Sequence, residues 1–421
     1  MARILTTLVL TLGTALAAGP AQSSGWPDFL ASYRQALTQH AIIGSSVALL
    51  KNGVIVERAH AGLRDRANNA PVDANTIFHW ASITKTFTGI AIMRLRDEGR
   101  LTLDDPIVKY VPELRKIHNP FGPVEQITIR HLLSHSAGFR SGTWPWGGGE
   151  AWQPFEPPGW EQLAGMMPYT RVEFAPGSKY QYSNPGLVFL GRVIEDLAGE
   201  PFETYIDKQI LRPLGMTRTF FDRAPAFLLA DRSHSYFVTD AGLTEAPFDF
   251  DSGITVSNGG LNAPIDDMVK YLAFLTGSPD PAVAKRHDGI LKRSSLEEMW
   301  KPVVPVSNGV QMGLTFFLER HGSQDYIAHS GGQNGFISHF YLQPSSGLAY
   351  IVAFNTQTTS AKDGDRRNTR ALDAAVRDWI LTMVSGDTPQ PPRMVPRNSV
   401  IGPNAGRPYG LASTPTVPSN R

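Results

Sequence analysis

Ser82 is followed three positions later by Lys85 in the stretch "HWASITK", residues 79–85. Residues i and i+3 of a helix project from one face, so the lysine amine can reach the serine hydroxyl and act as its base. The partial positive charge of a helix N-terminus would favour the oxyanion that forms as the proton leaves. A serine that opens a helix is also an ordinary N-cap, and so short a pattern decides nothing alone. This is the only Ser-x-x-Lys in the chain.

Two further stretches carry groups of matching chemistry. Tyr182-Ser183-Asn184 stands just ahead of a helix-like run, and His329-Ser330-Gly331 stands at the end of a strand-like one. Each has a structural reading: Tyr182 as a core aromatic, Asn184 as a turn residue before Pro185, His329 as a polar strand end. Other reaction classes leave weaker traces. His131 and His135 have the i, i+4 spacing of a zinc pair, but no glutamate follows the first to serve as base. The Gly-x-Ser-x-Gly elbow of an α/β-hydrolase does not occur.

The elements that would position these residues follow from the hydrophobic pattern. "SSVALLKNGVIVERAHAG" reads as two strands joined through Asn52-Gly53, a pair suited to a hairpin turn with positive φ at both central residues. After the short strand "TIFHW", Ser82 opens a segment with Ile83, Phe87, Ile90, Ala91 and Leu95 on one face, closing at Gly99. Helices are expected in "ITIRHLLSHSAG", "NPGLVFLGRVIEDLAGEPFETYIDKQIL", "APIDDMVKYLAFLTG" and "RNTRALDAAVRDWILTMV". Strands return in "GLTFFLER", "DYIAHSG", "FISHFYLQ" and "GLAYIVAFN". The expected fold is therefore α/β: an antiparallel sheet flanked by helices, with an inserted mostly helical domain. The sheet part would span roughly 27–80 and 230–384, and the helical part roughly 81–229.

Composition limits the partners. The chain has 421 residues, 42% hydrophobic and 18% charged, with a net charge of +1, so it can bury a large core but has no strong field for nucleic acid. The N-terminal "MARILTTLVLTLGTALAAGPAQ" has a basic residue, an apolar run and Ala15-Leu16-Ala17, the pattern of a signal peptide over residues 1–18. Its apolar run is shorter than the roughly 20 residues that span a bilayer, so export to the periplasm or medium without a stable membrane anchor is expected. Cysteine is absent, which removes both disulfides and a lipidation site. Residues 385–421 are rich in Pro, Gly, Ser and Asn, and read as a disordered tail.

Taken together, Ser82-x-x-Lys85, Tyr182-x-Asn184 and His329-x-Gly331 resemble the serine β-lactamase and penicillin-binding-protein superfamily, on its class C, DD-peptidase and esterase side. "LRDEGRLTLDDPI", "ITIRHLLSHSAGF" and "GGLNAPIDDMVKYL" agree with it, and the resemblance covers about Ser45 to Asn355. It implies Ser82 as the acylated nucleophile, Lys85 as the group receiving its proton, and Tyr182 as a second base. Asn184 would orient Lys85 and bind the substrate carbonyl, His329, Ser330 and Gly331 would line the substrate, and the backbone N–H groups of Ser82 and Gly332 would form the oxyanion hole. No metal or organic cofactor is implied, and the partner is a small-molecule or peptide substrate. One departure stands out. The third motif has histidine where class C enzymes carry a lysine, so the expectation is a group titrating near pH 6.5 that sets pH dependence and the preference for substrate charge.

Overall fold

The computed structural model describes residues 25–140, 159–248, 252–361 and 367–385. The expected signal peptide, most of the tryptophan-rich stretch 140–160, and the Pro/Gly-rich tail lie outside the described residues.

Among the described residues a nine-stranded antiparallel sheet forms the centre. Its order is Ala70–Pro71, Val54–Asp65, Gly44–Lys51, Leu348–Phe354, Phe336–Gln343, Gln324–Gln333, Phe317–His321, Val310–Met312 and Val304–Ser307. The hairpin at Asn52-Gly53 is present, with φ of 52° and 76° at the two turn residues. Sequence-distant segments meet where Gly44–Lys51 pairs with Leu348–Phe354.

Both faces of the sheet are covered, which explains apolar residues on both sides of one strand. Val47 and Leu49 join a cluster with Trp26, Phe29 and Tyr33 of the N-terminal helix Trp26–Gln39 and with Leu372, Val376 and Ile380 of the C-terminal helix Thr369–Ser385. Ala48 and Leu50 face the other way, into the larger cluster with Phe87, Ile90, Leu187, Phe189 and Leu272. That larger core belongs to the helical layer, built around Thr84–Asp97, Asn184–Ala198 and Ile265–Thr276.

The helical layer departs from a single insertion over 81–229. Helices Val256–Gly259, Pro281–Asp288 and Arg293–Met299, together with Ile265–Thr276, which was expected from "APIDDMVKYLAFLTG", lie within residues 230–384, the part assigned to the sheet. A three-stranded sheet, Ile77–His79, Leu261–Pro264 and Phe220–Phe221, ties the two parts together. The helix expected in "ITIRHLLSHSAG" is only Ile129–Leu133, because His135 turns into the left-handed region at φ 54° and ends it.

Candidate active site

The strand Ile77–His79 runs through Trp80 into a tight 3-10 turn, Ala81–Ile83, and then into the helix Thr84–Asp97. Ala81 takes φ 49°, a left-handed conformation that a side chain with a Cβ adopts at a cost. Trp80 anchors the bend: its amide donates to the Leu261 carbonyl at 2.8 Å and its indole N–H to the Ala263 carbonyl at 2.9 Å. Ala81 and Ile83 are buried on either side, and half-buried Ser82 is left facing outward from the turn.

One turn into the helix, Lys85 is completely buried, and its Nζ lies 3.0 Å from Ser82 Oγ and donates to the Asn258 carbonyl at 2.8 Å. Burial without a countercharge takes its pKa well below the ordinary lysine value. The amine therefore has a free lone pair within reach of the hydroxyl proton. Tyr182 completes the group from the chain just before the helix Asn184–Ala198, with its oxygen hydrogen-bonded to Ser82 and its ring 4.9 Å from Lys85 Nζ. Burial raises the phenol pKa, opposed by that hydrogen bond and by the charge of Arg370. The same desolvation thus leaves two neutral groups, a lysine that can accept a proton and a tyrosine that can donate one.

The strand Gln324–Gln333 supplies the opposite wall. It pairs with Phe336–Gln343 from Ile327 to Gln333, but with Phe317–His321 only as far as Ala328. Among the described residues, 329–333 therefore have one edge free of strand pairing, where backbone groups can meet a ligand. Side chains alternate along this edge. On the Gly331 side a Cβ would overlap the Trp80 carbonyl oxygen, so this glycine lets the strand press against the turn that carries Ser82. On the Gly332 side a Cβ would overlap the guanidinium of Arg370, from the first turn of the helix Thr369–Ser385. This glycine leaves room for a cation at the edge of the site.

Two sequence expectations are corrected here. His329 is 1% exposed, and its Nδ1 lies 2.8 Å from the Ser330 carbonyl. Burial first and the charge of Lys85 second take its pKa down to about 3, so it is not a group titrating near pH 6.5. Asn184 does not hold Lys85: its side-chain oxygen is buried without a partner among the described residues, and the Asn258 carbonyl accepts from the amine instead. Ser330 and Gly332 are half-buried on the strand, and Gly331 is buried. The histidine pair 131 and 135 is used locally, His131 capping its helix through the Thr128 amide and His135 accepting the Ser183 amide at 3.1 Å.

Two residues with contacts here, Asn258 and Arg370, were not singled out from the sequence, and a third, His135, was weighed only as a zinc partner of His131. Asn258 acts through its backbone, which gives no side-chain signal. Arg370 sits in a plain amphipathic helix, 38 positions beyond Gly332. His135 stacks on the Tyr182 ring at 4.5 Å, a contact that its i, i+4 spacing from His131 did not signal.

The Beta-lactamase family model matches residues 29–375. The chain belongs to that family. Among curated relatives in the family's range, "Esterase EstB" of Burkholderia gladioli is 32% identical over 199 residues, 44% of this chain and 49% of that protein, so the match spans about half of EstB. "D-alanyl-D-alanine-carboxypeptidase/endopeptidase AmpH" of Escherichia coli is 24% identical over 398 residues, 92% of this chain and 97% of that protein. The octameric penicillin-binding protein homologue from Pyrococcus abyssi superposes with a TM-score of 0.70 at 28% identity, covering 86% of this chain and 78% of that one. A class C β-lactamase structure gives 0.69 at 19% identity over 87% and 98%, a likeness of fold. The chain is thus a β-lactamase-family serine hydrolase related to an esterase and a DD-carboxypeptidase, on the fold of penicillin-binding proteins.

Proposed function

We propose that this protein is exported and hydrolyses an ester, amide or peptide bond through an acyl-enzyme on Ser82, in the manner of the family's esterases and DD-peptidases. The observation that carries the reading is the 3.0 Å approach of a fully buried, depressed-pKa lysine to the Ser82 hydroxyl. Lys85 takes the Ser82 proton as Oγ forms its bond to the substrate carbonyl carbon. The carbonyl π electrons move to oxygen, and the Ser82 and Gly332 amides receive that charge. On collapse the C–O or C–N bond breaks, and the leaving group takes a proton from the Tyr182 phenol, which recovers one from Lys85. Water then adds to the acyl carbon, passing a proton to the Tyr182 oxygen as the phenol hands its own to Lys85, and on collapse the C–Oγ bond breaks and Ser82 Oγ recovers that proton from Lys85. Asn184, at the start of the helix that follows Tyr182, would bind the substrate carbonyl through its side-chain N–H.

Class C-type β-lactam turnover is the alternative within this chemistry, and a ligand-binding protein without catalysis is the alternative outside it. With His329 buried and neutral, the fixed cation nearest the free strand edge is Arg370, which supports carboxylate-bearing peptides as substrates alongside esters. Export rests on the N-terminal pattern, and among the described residues no helix is long and apolar enough to cross a membrane. The deciding experiment is intact-mass analysis after exposure to a p-nitrophenyl ester, a D-alanyl peptide and a penicillin, with turnover followed in parallel. An adduct and turnover that both disappear in Ser82→Ala, with the melting temperature unchanged, are expected. An adduct mapped to another serine, or persisting turnover, would overturn the assignment.

A further inference from the structure

Around Tyr182, three buried side-chain polar atoms have no hydrogen-bond partner among the described residues: His135 Nε2, Tyr180 Oη and His329 Nε2. Their rings form a chain of contacts. His135 stacks on Tyr182 at 4.5 Å and meets the edge of Tyr180 at 6.1 Å. Tyr180 meets Phe317 at 6.3 Å, and Phe317 meets His329 at 5.4 Å. The two imidazoles influence each other electrostatically, and Lys85 acts on both, with His339 and Glu319 acting further on His329.

Their first hydrogen bonds fix opposite tautomers. His135 Nδ1 accepts the Ser183 N–H at 3.1 Å, so a neutral ring carries its proton on Nε2. His329 Nδ1 faces the Ser330 carbonyl at 2.8 Å, and a carbonyl only accepts, so that ring carries its proton on Nδ1 and a lone pair on Nε2. The three orphans are therefore one donor, one acceptor, and one hydroxyl able to do both. A buried polar atom left unpaired costs about 1–3 kcal/mol, which favours any arrangement that joins them.

We propose that His135, Tyr180 and His329 form one tautomer-locked cluster, in which His135 Nε2–H donates to Tyr180 Oη and Tyr180 donates to His329 Nε2, and that this cluster positions Tyr182 over Lys85. Small side-chain rotations, or one internal water at a gap, close the chain. The positional effect has two routes: the His135 ring lies flat against Tyr182, and its Nδ1 holds the amide of the next residue, Ser183. His329 then acts through this cluster rather than by contact with substrate. The inference rests on the reading of Tyr182 and Lys85 as catalytic residues, but its first test does not.

That test is histidine ¹⁵N NMR on the whole protein, with signals assigned by His135→Asn and His329→Asn. The expected result is an Nε2–H tautomer for His135 and an Nδ1–H tautomer for His329, both unchanged from pH 5 to 9, and both Nε2 signals moved by Tyr180→Phe. Like tautomers, titration of either ring in that range, or no response to Tyr180→Phe would overturn the cluster. The second test is kinetic. Asparagine at 135 keeps an acceptor for the Ser183 amide and tolerates the φ of 54°, while asparagine at 329 keeps a donor for the Ser330 carbonyl. Each change removes the far side of a ring. On p-nitrophenyl acetate, each should lower kcat by about 10-fold with KM within about twofold, and the double variant should be scarcely worse than either single one. Additive losses, or a change in KM alone, would show that the residues do not position Tyr182 together. If Ser82→Ala retains turnover, the catalytic reading fails while the NMR result still judges the cluster.

Discussion

Arg370 is the residue by which substrate charge can be tested. Its guanidinium lies against Gly332, at the strand edge without a pairing partner, and its charge is felt by Tyr182 and balanced in part by Asp373, one helical turn away. Arg370→Gln keeps an N–H donor on a shorter side chain and removes the charge. A hydrogen bond to a charged group contributes about 1.5–3 kcal/mol, and about 1.4 kcal/mol is a factor of ten, so a lost carboxylate contact costs roughly 10- to 150-fold in kcat/KM. Asp373 offsets part of the cation, which places the expectation at the lower end. The substitution also raises the Tyr182 pKa further, because it removes a charge that lowers it. That second effect falls on every substrate alike.

The ratio between two substrates therefore isolates the contact. Comparing an acyl-D-alanyl-D-alanine peptide with its C-terminal amide, the wild type should favour the carboxylate and Arg370→Gln should erase most of that preference, about tenfold. Arg370→Lys should fall between them, since it restores charge without the planar fork. If both substrates decline equally and their ratio stays within about twofold, Arg370 acts through Tyr182 alone and the carboxylate argument is wrong.

Gly331→Ala should be far more damaging than Gly332→Ala, because the first drives a methyl into the Trp80 backbone oxygen and the second into a movable arginine side chain; melting temperatures and esterase rates of the two variants check this, and equal effects would contradict it. Lys85→Met and Tyr182→Phe should each lower kcat by about 100-fold or more, with the double variant close to the worse single one, since the two groups exchange one proton; steady-state rates decide, and additive losses would assign them separate roles. Unfolded His329 binds a proton below about pH 6.5, whereas folded His329 stays neutral down to about 3, so the unfolded state binds more protons in that window and stability falls as pH drops through it. His329→Asn should flatten the urea midpoint between pH 6.5 and 3, and an unchanged slope would mean that the ring is not buried neutral.

The legible parts of this molecule are those where function and local structure share a short segment. Asn52-Gly53 specified its hairpin because both residues tolerate positive φ, and Ser82 and Lys85 met because one helical turn separates them. The α/β fold class followed from strand runs at both ends of the chain. Of the helices at 256–299 only Ile265–Thr276 was read from the sequence, and its place in the helical layer follows from tertiary packing, where the strand Leu261–Pro264 threads between Ile77–His79 and Phe220–Phe221. Asn258 and Arg370 reach the site only through tertiary packing, one by a main-chain carbonyl and the other by helix docking on the sheet. No periodicity in their own segments marks them. For His329 the sequence identified the position and missed its environment: a histidine's pKa is set by burial, and burial belongs to the packed neighbours.

That environment changes how charge is arranged around Ser82. A lysine at position 329 would place a second cation beside Lys85, inside the core, where each would oppose the protonation of the other. The neutral, tautomer-fixed imidazole adds no such opposition, so the depression of Lys85 comes from desolvation, the first cause acting on it. Permanent positive charge is moved to the other face of the strand, where Arg370 emerges beside Gly332 at the rim of the site. Lys85 and the Arg370 guanidinium thereby lie on opposite sides of that strand. A carboxylate held at Arg370 would offset the charge that lowers the Tyr182 pKa, so its binding would reach the phenol, whereas the depression of Lys85, which comes from burial, would stay as it is.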